Sequence, residues 1–132
     1  MISNIDAEFA EITEYWSPRV VADVNDQSVK LAKLKGEFVW HDHEDEDELF
    51  FILKGSLTIR YHDRENAVLT AGDIHVVPKG IQHNPIAVSE CWVMLFEPAE
   101  TKHTGDVVAE GTRSAAQQRA HLQSNDLHSN GV

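Results

Sequence analysis

From residue 19 to residue 97 the chain runs in short segments rich in Val, Ile, Leu, Phe and Trp, each broken by Gly, Pro, Asn or Asp. Alternation with a period of two puts every second side chain on a buried face, the pattern of half-buried strands. It predicts strands over residues 19–24, 29–35, 37–41, 49–53, 56–61, 66–69, 74–77, 82–88 and 91–97. Turn signals separate them at Asn25-Asp26, Lys54-Gly55, Asp63 to Asn66, Ala71-Gly72-Asp73 and Pro78-Lys79-Gly80. No helical pattern is interleaved, which excludes βαβ units. Short strands at intervals of about 8–12 residues make an all-β antiparallel sandwich or barrel.

The flanks read differently. Asn4 or Asp6 can cap one short helix in which Phe9 and Ile12 are three apart, and Pro18 ends that region. Beyond Thr101 the chain becomes rich in Gly, Ser, Asn, Gln and His; residues 114–122 allow one or two helical turns, and residues 123–132 read as a mobile tail with little to bury. The organisation expected is a helical N-terminal segment (1–17), one barrel (18–110) and a polar C-terminal tail (111–132).

Composition narrows the function classes. The 132 residues carry 22 acidic against 11 basic side chains, a net charge of −11. With no basic stripe to neutralise phosphates, nucleic acid and anionic membranes are poor partners. The single cysteine, Cys91, excludes an intrachain disulfide, fits a reducing compartment, and sits in an apolar run where a buried, inert thiol is expected. No secretory signal and no membrane-spanning apolar run are visible, so the expectation is a cytoplasmic protein.

Chemistry concentrates in two stretches. Residues His41 and His43, two apart on an expected strand, would share one face, and Glu48 opens the next strand after an acidic loop. His83 follows the Pro78-Lys79-Gly80 turn. Three neutral imidazoles and a carboxylate suit one divalent transition metal (Fe, Mn, Ni, Zn or Co) and fit calcium poorly. In six-coordinate geometry four protein ligands leave two positions for water, substrate or oxygen; open positions read as catalytic, a closed tetrahedral site as structural. The plainer alternative is a set of polar groups lining an empty pocket. The acidic run from Asp42 to Glu48 reads as a solvated loop rather than a second cation site, one that disfavours anionic substrates. His75 alternates with Ile74 and Val76 and faces either the pocket or the surface; His62, His103, His121 and His128 fit solvated roles. Candidate pocket-lining residues are Trp40, Phe50, Tyr61, Trp92, Met94 and Phe96.

These stretches resemble the two motifs of the cupin superfamily, Gly-(x)5-His-x-His-(x)3–4-Glu-(x)6-Gly and Gly-(x)5-Pro-x-Gly-(x)2-His-(x)3-Asn. His41, His43, Glu48 and Gly55 match the first; Gly72, Pro78, Gly80 and His83 match the second. Gly36 stands one residue too close to His41, and Ala87 occupies the last Asn position, with Asn84 directly after His83 instead. The chain is most similar to short single-domain bacterial cupins grouped with mannose-6-phosphate isomerase-like proteins. That resemblance implies a double-stranded β-helix (a jelly-roll-type barrel), a metal inside the barrel, and frequent homodimers; the flanks add a short N-terminal helix and room for a short C-terminal one.

The function expected is a small metalloenzyme of dioxygenase or isomerase/lyase type, acting on a small organic substrate at open metal positions, with no individual catalytic residue assigned. Its rivals are a cupin module that binds or senses a small molecule without turnover, and a metal that only stabilises the barrel.

Overall fold

In the computed structural model, the residues described are 2–101, 105 and 114–129. Helix α1 (Ile5–Ala10) starts where Asn4 caps it, the Asn4 side chain accepting from the Ala7 N–H at 2.9 Å. Seven strands follow: β1 (Arg19–Val24), β2 (Gln27–Glu37), β3 (Glu48–Lys54), β4 (Ser56–Tyr61), β5 (Ala67–Thr70), β6 (Ile74–Val77) and β7 (His83–Pro98), and then helix α2 (Ala115–Ser129). The architecture is the all-β, jelly-roll-type barrel that the motifs imply, with a short helix at each end.

All strand pairing is antiparallel, and β7 is its spine. One edge of β7 pairs with β2 along most of its length, from Gln27↔Pro98 to Glu37↔Ile86. The other edge is shared: its first half pairs with β4, ending at Tyr61↔His83, and its second half with β3, from Leu49↔Phe96 to Lys54↔Trp92. The hand-over falls at Val88-Ser89-Glu90, where the sheet turns from one wall of the barrel to the other. Gly55, between β3 and β4, fits under this corner. Its φ is +82°, and a Cβ there would stand 2.7 Å from the Glu90 carbonyl oxygen, so only glycine is accommodated without movement.

The two expected strands 82–88 and 91–97 are therefore one. Polar, exposed Ser89 resembles a turn in composition, but the backbone stays extended and changes partner. Likewise 29–35 extends to both sides as β2, whereas the expected strand 37–41 is not formed: regular pairing stops at Glu37, and His41 makes only an isolated bridge to His83. The segment 123–129, read as a tail, continues α2. Good helix formers at Ala115, Ala116, Gln117, Gln118 and Arg119 start that helix. Residues 130–132, and His103, lie outside the described residues.

Inward-facing residues of six strands make the barrel core, among them Leu34, Phe50, Ile52, Ile59, Val93 and Leu95. A second cluster lies outside the sheet, where Phe9 and Ile12 pack on Val21 and Leu31; Phe9 stacks on Trp92 with ring centroids 4.4 Å apart. Among the described residues, no helix is long and apolar enough to cross a membrane.

Candidate metal centre

At one end the barrel interior changes from apolar to ionisable. His41, His43, Glu48 and His83 are all buried there, and one donor atom from each lies within 4.8 Å of the others. The sequence motifs bring together the four residues they name. Glu48 enters as the first residue of β3 and His83 as the first of β7. A reciprocal backbone pair, His41 N–H to His83 carbonyl (3.0 Å) and the reverse (2.9 Å), locks the His41 loop to β7. The Gly80 N–H holds the His43 carbonyl at 2.8 Å, so the Pro78-Lys79-Gly80 turn also anchors the second histidine. His41 and His43 do not lie on a shared strand face; the irregular loop between Glu37 and Glu48 instead sets their rings nearly perpendicular, 5.1 Å apart.

The imidazoles are oriented by their outer nitrogens. Nδ1 of His41 lies 2.8 Å from the Val39 carbonyl, and Nδ1 of His83 lies 2.9 Å from the Ile81 carbonyl. A carbonyl can only accept, so both Nδ1 atoms carry the hydrogen and both Nε2 atoms present a lone pair inward. Nε2 of His43 is 3.5 Å from Glu48 Oε2, and Nε2 of His83 is 3.9 Å from Glu48 Oε1. Neither Nε2 has a hydrogen-bond partner. A buried polar atom left without a partner costs about 1–3 kcal/mol, so a cluster of them aimed at one point fits a divalent cation that would satisfy them together.

Electrostatics keep most of these groups in their metal-binding forms. Burial, reinforced by the His83 ring, lowers the His41 imidazole to about 4. Burial also lowers His83, with Glu48 pulling the other way. At His43 burial pulls downward too, but Glu48, with Glu46 and Asp42 behind it, outweighs it and raises the group. Burial would raise Glu48, yet the adjacent Glu97 carboxyl and the His43 and His83 rings hold it well below the carboxylate range. On Glu97 itself, burial and Glu48 outweigh the downward pull of Lys30 and raise the carboxyl well above the ordinary range.

A cleft of about 360 Å³, its open mouth included, reaches His41 and Glu48. Its walls are apolar, with Trp16, Phe38, Phe50 and Leu95 prominent. Of the pocket-lining candidates, Phe50 is in place. Trp92 and Met94 pack instead under α1 on the outer face, and Trp40 stacks on His62 at 3.7 Å. Tyr61 lies on the far side of His83, its hydroxyl 2.7 Å from His75 Nε2. Trp16 and Phe38, stacked at 4.6 Å, were not among the candidates. Trp16 is pinned to β2 by its N–H to the Lys33 carbonyl and its indole N–H to the Lys35 carbonyl, both 2.9 Å. The only sequence sign of it is an aromatic residue close before Pro18. Gly105 is equally hidden: it packs so closely on the His43 loop that a Cβ would stand 1.8 Å from the Asp42 carbonyl oxygen. In the acidic loop Glu44, Asp45 and Asp47 are exposed, and Asp47 accepts from the Lys79 N–H at 2.9 Å.

The comparisons with known proteins agree with this geometry. The Cupin domain family (Cupin_2) matches residues 27–96, which hold both stretches and all four residues. The chain is 43% identical over 82 residues to the uncharacterized protein YdbB of Bacillus subtilis (strain 168), covering 62% of this chain and 73% of that one. It is 45% identical to the crystal structure of a cupin-2 domain containing protein from Shewanella frigidimarina, with a TM-score of 0.71, covering 74% of this chain and 94% of that one. Protein NMB1881 from Neisseria meningitidis is similar at 28% identity and a TM-score of 0.68, covering 74% and 99%. More than half of the chain carries the family's pattern, and the fold agrees throughout that span: the chain belongs to the cupin domain family.

Proposed function

We propose that the protein is a metal-dependent cupin enzyme that takes a small, largely apolar organic molecule at a divalent transition ion held by His41, His43, Glu48 and His83. The observation that carries this reading is the apolar cleft ending on His41 and Glu48, two of four buried donors that converge on one point. When bound, the ion would supply Lewis-acid or redox chemistry, of isomerase/lyase or dioxygenase type, at a position open to the cleft. The chain's own residues do the rest. Trp16 and Phe38 offer a flat wall for an unsaturated or aliphatic body, and Phe50 and Leu95 exclude water from the floor. The Tyr61 hydroxyl, bonded to His75, holds a proton on the other side of His83.

The resemblance to mannose-6-phosphate isomerase-like cupins does not extend to a phosphate site. Among the described residues no Lys or Arg lines the cleft, and Arg60 is engaged by Glu37 at 2.6 Å. A second reading, a binding module without turnover, is favoured by one observation: among the described residues, the cleft lining contains no acid or base apart from His41 and Glu48.

Two further parts of the proposal concern surroundings. A homodimer is supported by apolar residues on the outer face of edge strand β6, Ile74 at 63% and Val76 at 45% exposed, beside half-buried Leu49 and Phe51. Sedimentation velocity at micromolar concentration should give twice the chain mass. A cytoplasmic, reducing setting is supported by the single thiol.

The function test uses metal-loaded protein and a panel of small molecules bearing a catechol, enol or hydroxy-ketone group, followed by Trp fluorescence, oxygen consumption and product mass. Metal-dependent binding with turnover supports the enzyme. Metal-dependent binding without turnover across the panel supports the binding module. Binding unaffected by chelation contradicts both.

A further inference from the structure

The end of the barrel beneath Glu48 holds an ion pair that the proposed metal chemistry does not use. Lys30, on the inner face of β2, is fully buried, and its Nζ lies 2.8 Å from Oε1 of Glu97, which is equally shut off from solvent. Lys30 also donates to the Thr101 carbonyl at 3.0 Å. Neither oxygen of Glu97 has an aligned hydrogen-bond partner. A buried ammonium is costly, and an apolar side chain of similar length would fill that space at lower cost. Its retention calls for a reason.

The pair is not remote from the site. Leu49 pairs with Phe96 across β3 and β7, which makes Glu48 and Glu97 the next residues along the two strands. Both carboxyls are buried, side by side on the paired strands. In order across the barrel floor stand Lys30, Glu97 and Glu48: one positive charge, then two carboxyls.

We propose that Glu97 is a positioning residue for the cation site, standing between Lys30 and Glu48 and keeping the buried ammonium off the carboxylate that the cation needs. This rests on the reading of His41, His43, Glu48 and His83 as metal ligands. Without the Glu97 carboxyl between them, Lys30 has Glu48 as the next carboxylate, and the ammonium competes with the cation for it. The two ends of the pair therefore have opposite effects on metal affinity, which a merely structural pair would not show.

The test is a Co(II) titration of the chelator-stripped full chain, read by visible absorption and calorimetry, with circular dichroism and melting temperature as folding controls. Glu97→Ala should weaken Co(II) binding at least tenfold, on the order of the effect of groups that support metal ligands. Lys30→Met should not weaken it, and the double variant Lys30→Met/Glu97→Ala should return to within about threefold of wild type. Equal losses in Glu97→Ala and Lys30→Met, or no recovery in the double variant, would overturn the inference. So would a folded Glu97→Ala that binds Co(II) like wild type. If Glu97→Ala fails to fold, the double variant decides: affinity near wild type supports the inference and a tenfold loss overturns it. A wild-type chain that binds no Co(II) would instead remove the metal site itself, and this inference with it.

Discussion

Cys91 sits in the barrel wall with no exposed surface, and burial pushes its thiol up to about 11. The thiolate is the reactive form, so the native protein should resist iodoacetamide at pH 8 and label rapidly once unfolded. The sign of the linkage follows. An unfolded thiol ionises near 8.5, so native stability is unaffected by Cys91 below that pH. It declines as pH rises from there toward about 11, where only the unfolded state gives up the proton. Rapid labelling of folded protein at pH 8 would contradict this burial. Tyr61 offers a second test at the same scale. Tyr61→Phe removes the bond to His75 and should cost about 0.5–1.5 kcal/mol in a urea melt. Metal content should not change, because Tyr61 is outside the proposed ligand set; a loss of metal would give its hydroxyl a larger part than this.

The elements are held by a few positions where a small change has a large effect. Gly55→Ala must both adopt φ near +82° and displace the Glu90 carbonyl, and a destabilisation of about 1–3 kcal/mol is expected by denaturant melt. Phe9 is fully buried against Trp92, so Phe9→Ala should cost about 3–5 kcal/mol and loosen α1 from the sheet. Much of this level was legible in the sequence. Strands 19–24, 56–61 and 74–77 have the bounds expected of them, because strong turn residues or prolines bracket each. The single strand β7 was not legible. Alternation and composition report which face is buried, not which neighbour a strand pairs with, and the exchange of β4 for β3 at residues 88–90 leaves no local mark except polarity. Trp16 was hidden for a related reason. Its place at the cleft comes from a φ of +57° and from hydrogen bonds to Lys33 and Lys35, more than fifteen residues along the chain.

At the scale of the whole molecule, the barrel divides its labour by depth. Its middle is hydrocarbon, one end is a buried cluster of imidazoles and carboxylates, and an apolar cleft joins that cluster to the surface. The four clustered residues were readable in advance because motif spacing fixes which side chains enter the barrel. The apolar cleft was readable only in part, since its walls come from the segment between α1 and β1, the loop at Phe38 and three strands at once. The acidic surface fits this arrangement: a net charge of −11 favours cation entry and works against a phosphorylated substrate.

The most direct test of the central claim is the metal content of protein purified without chelators, by inductively coupled plasma mass spectrometry, for wild type, His83→Ala and Glu48→Ala. One divalent transition ion per wild-type chain, lost from both variants while the β-sheet circular dichroism persists, is the predicted result. A wild-type chain without such an ion, or an ion retained by both variants, would contradict it.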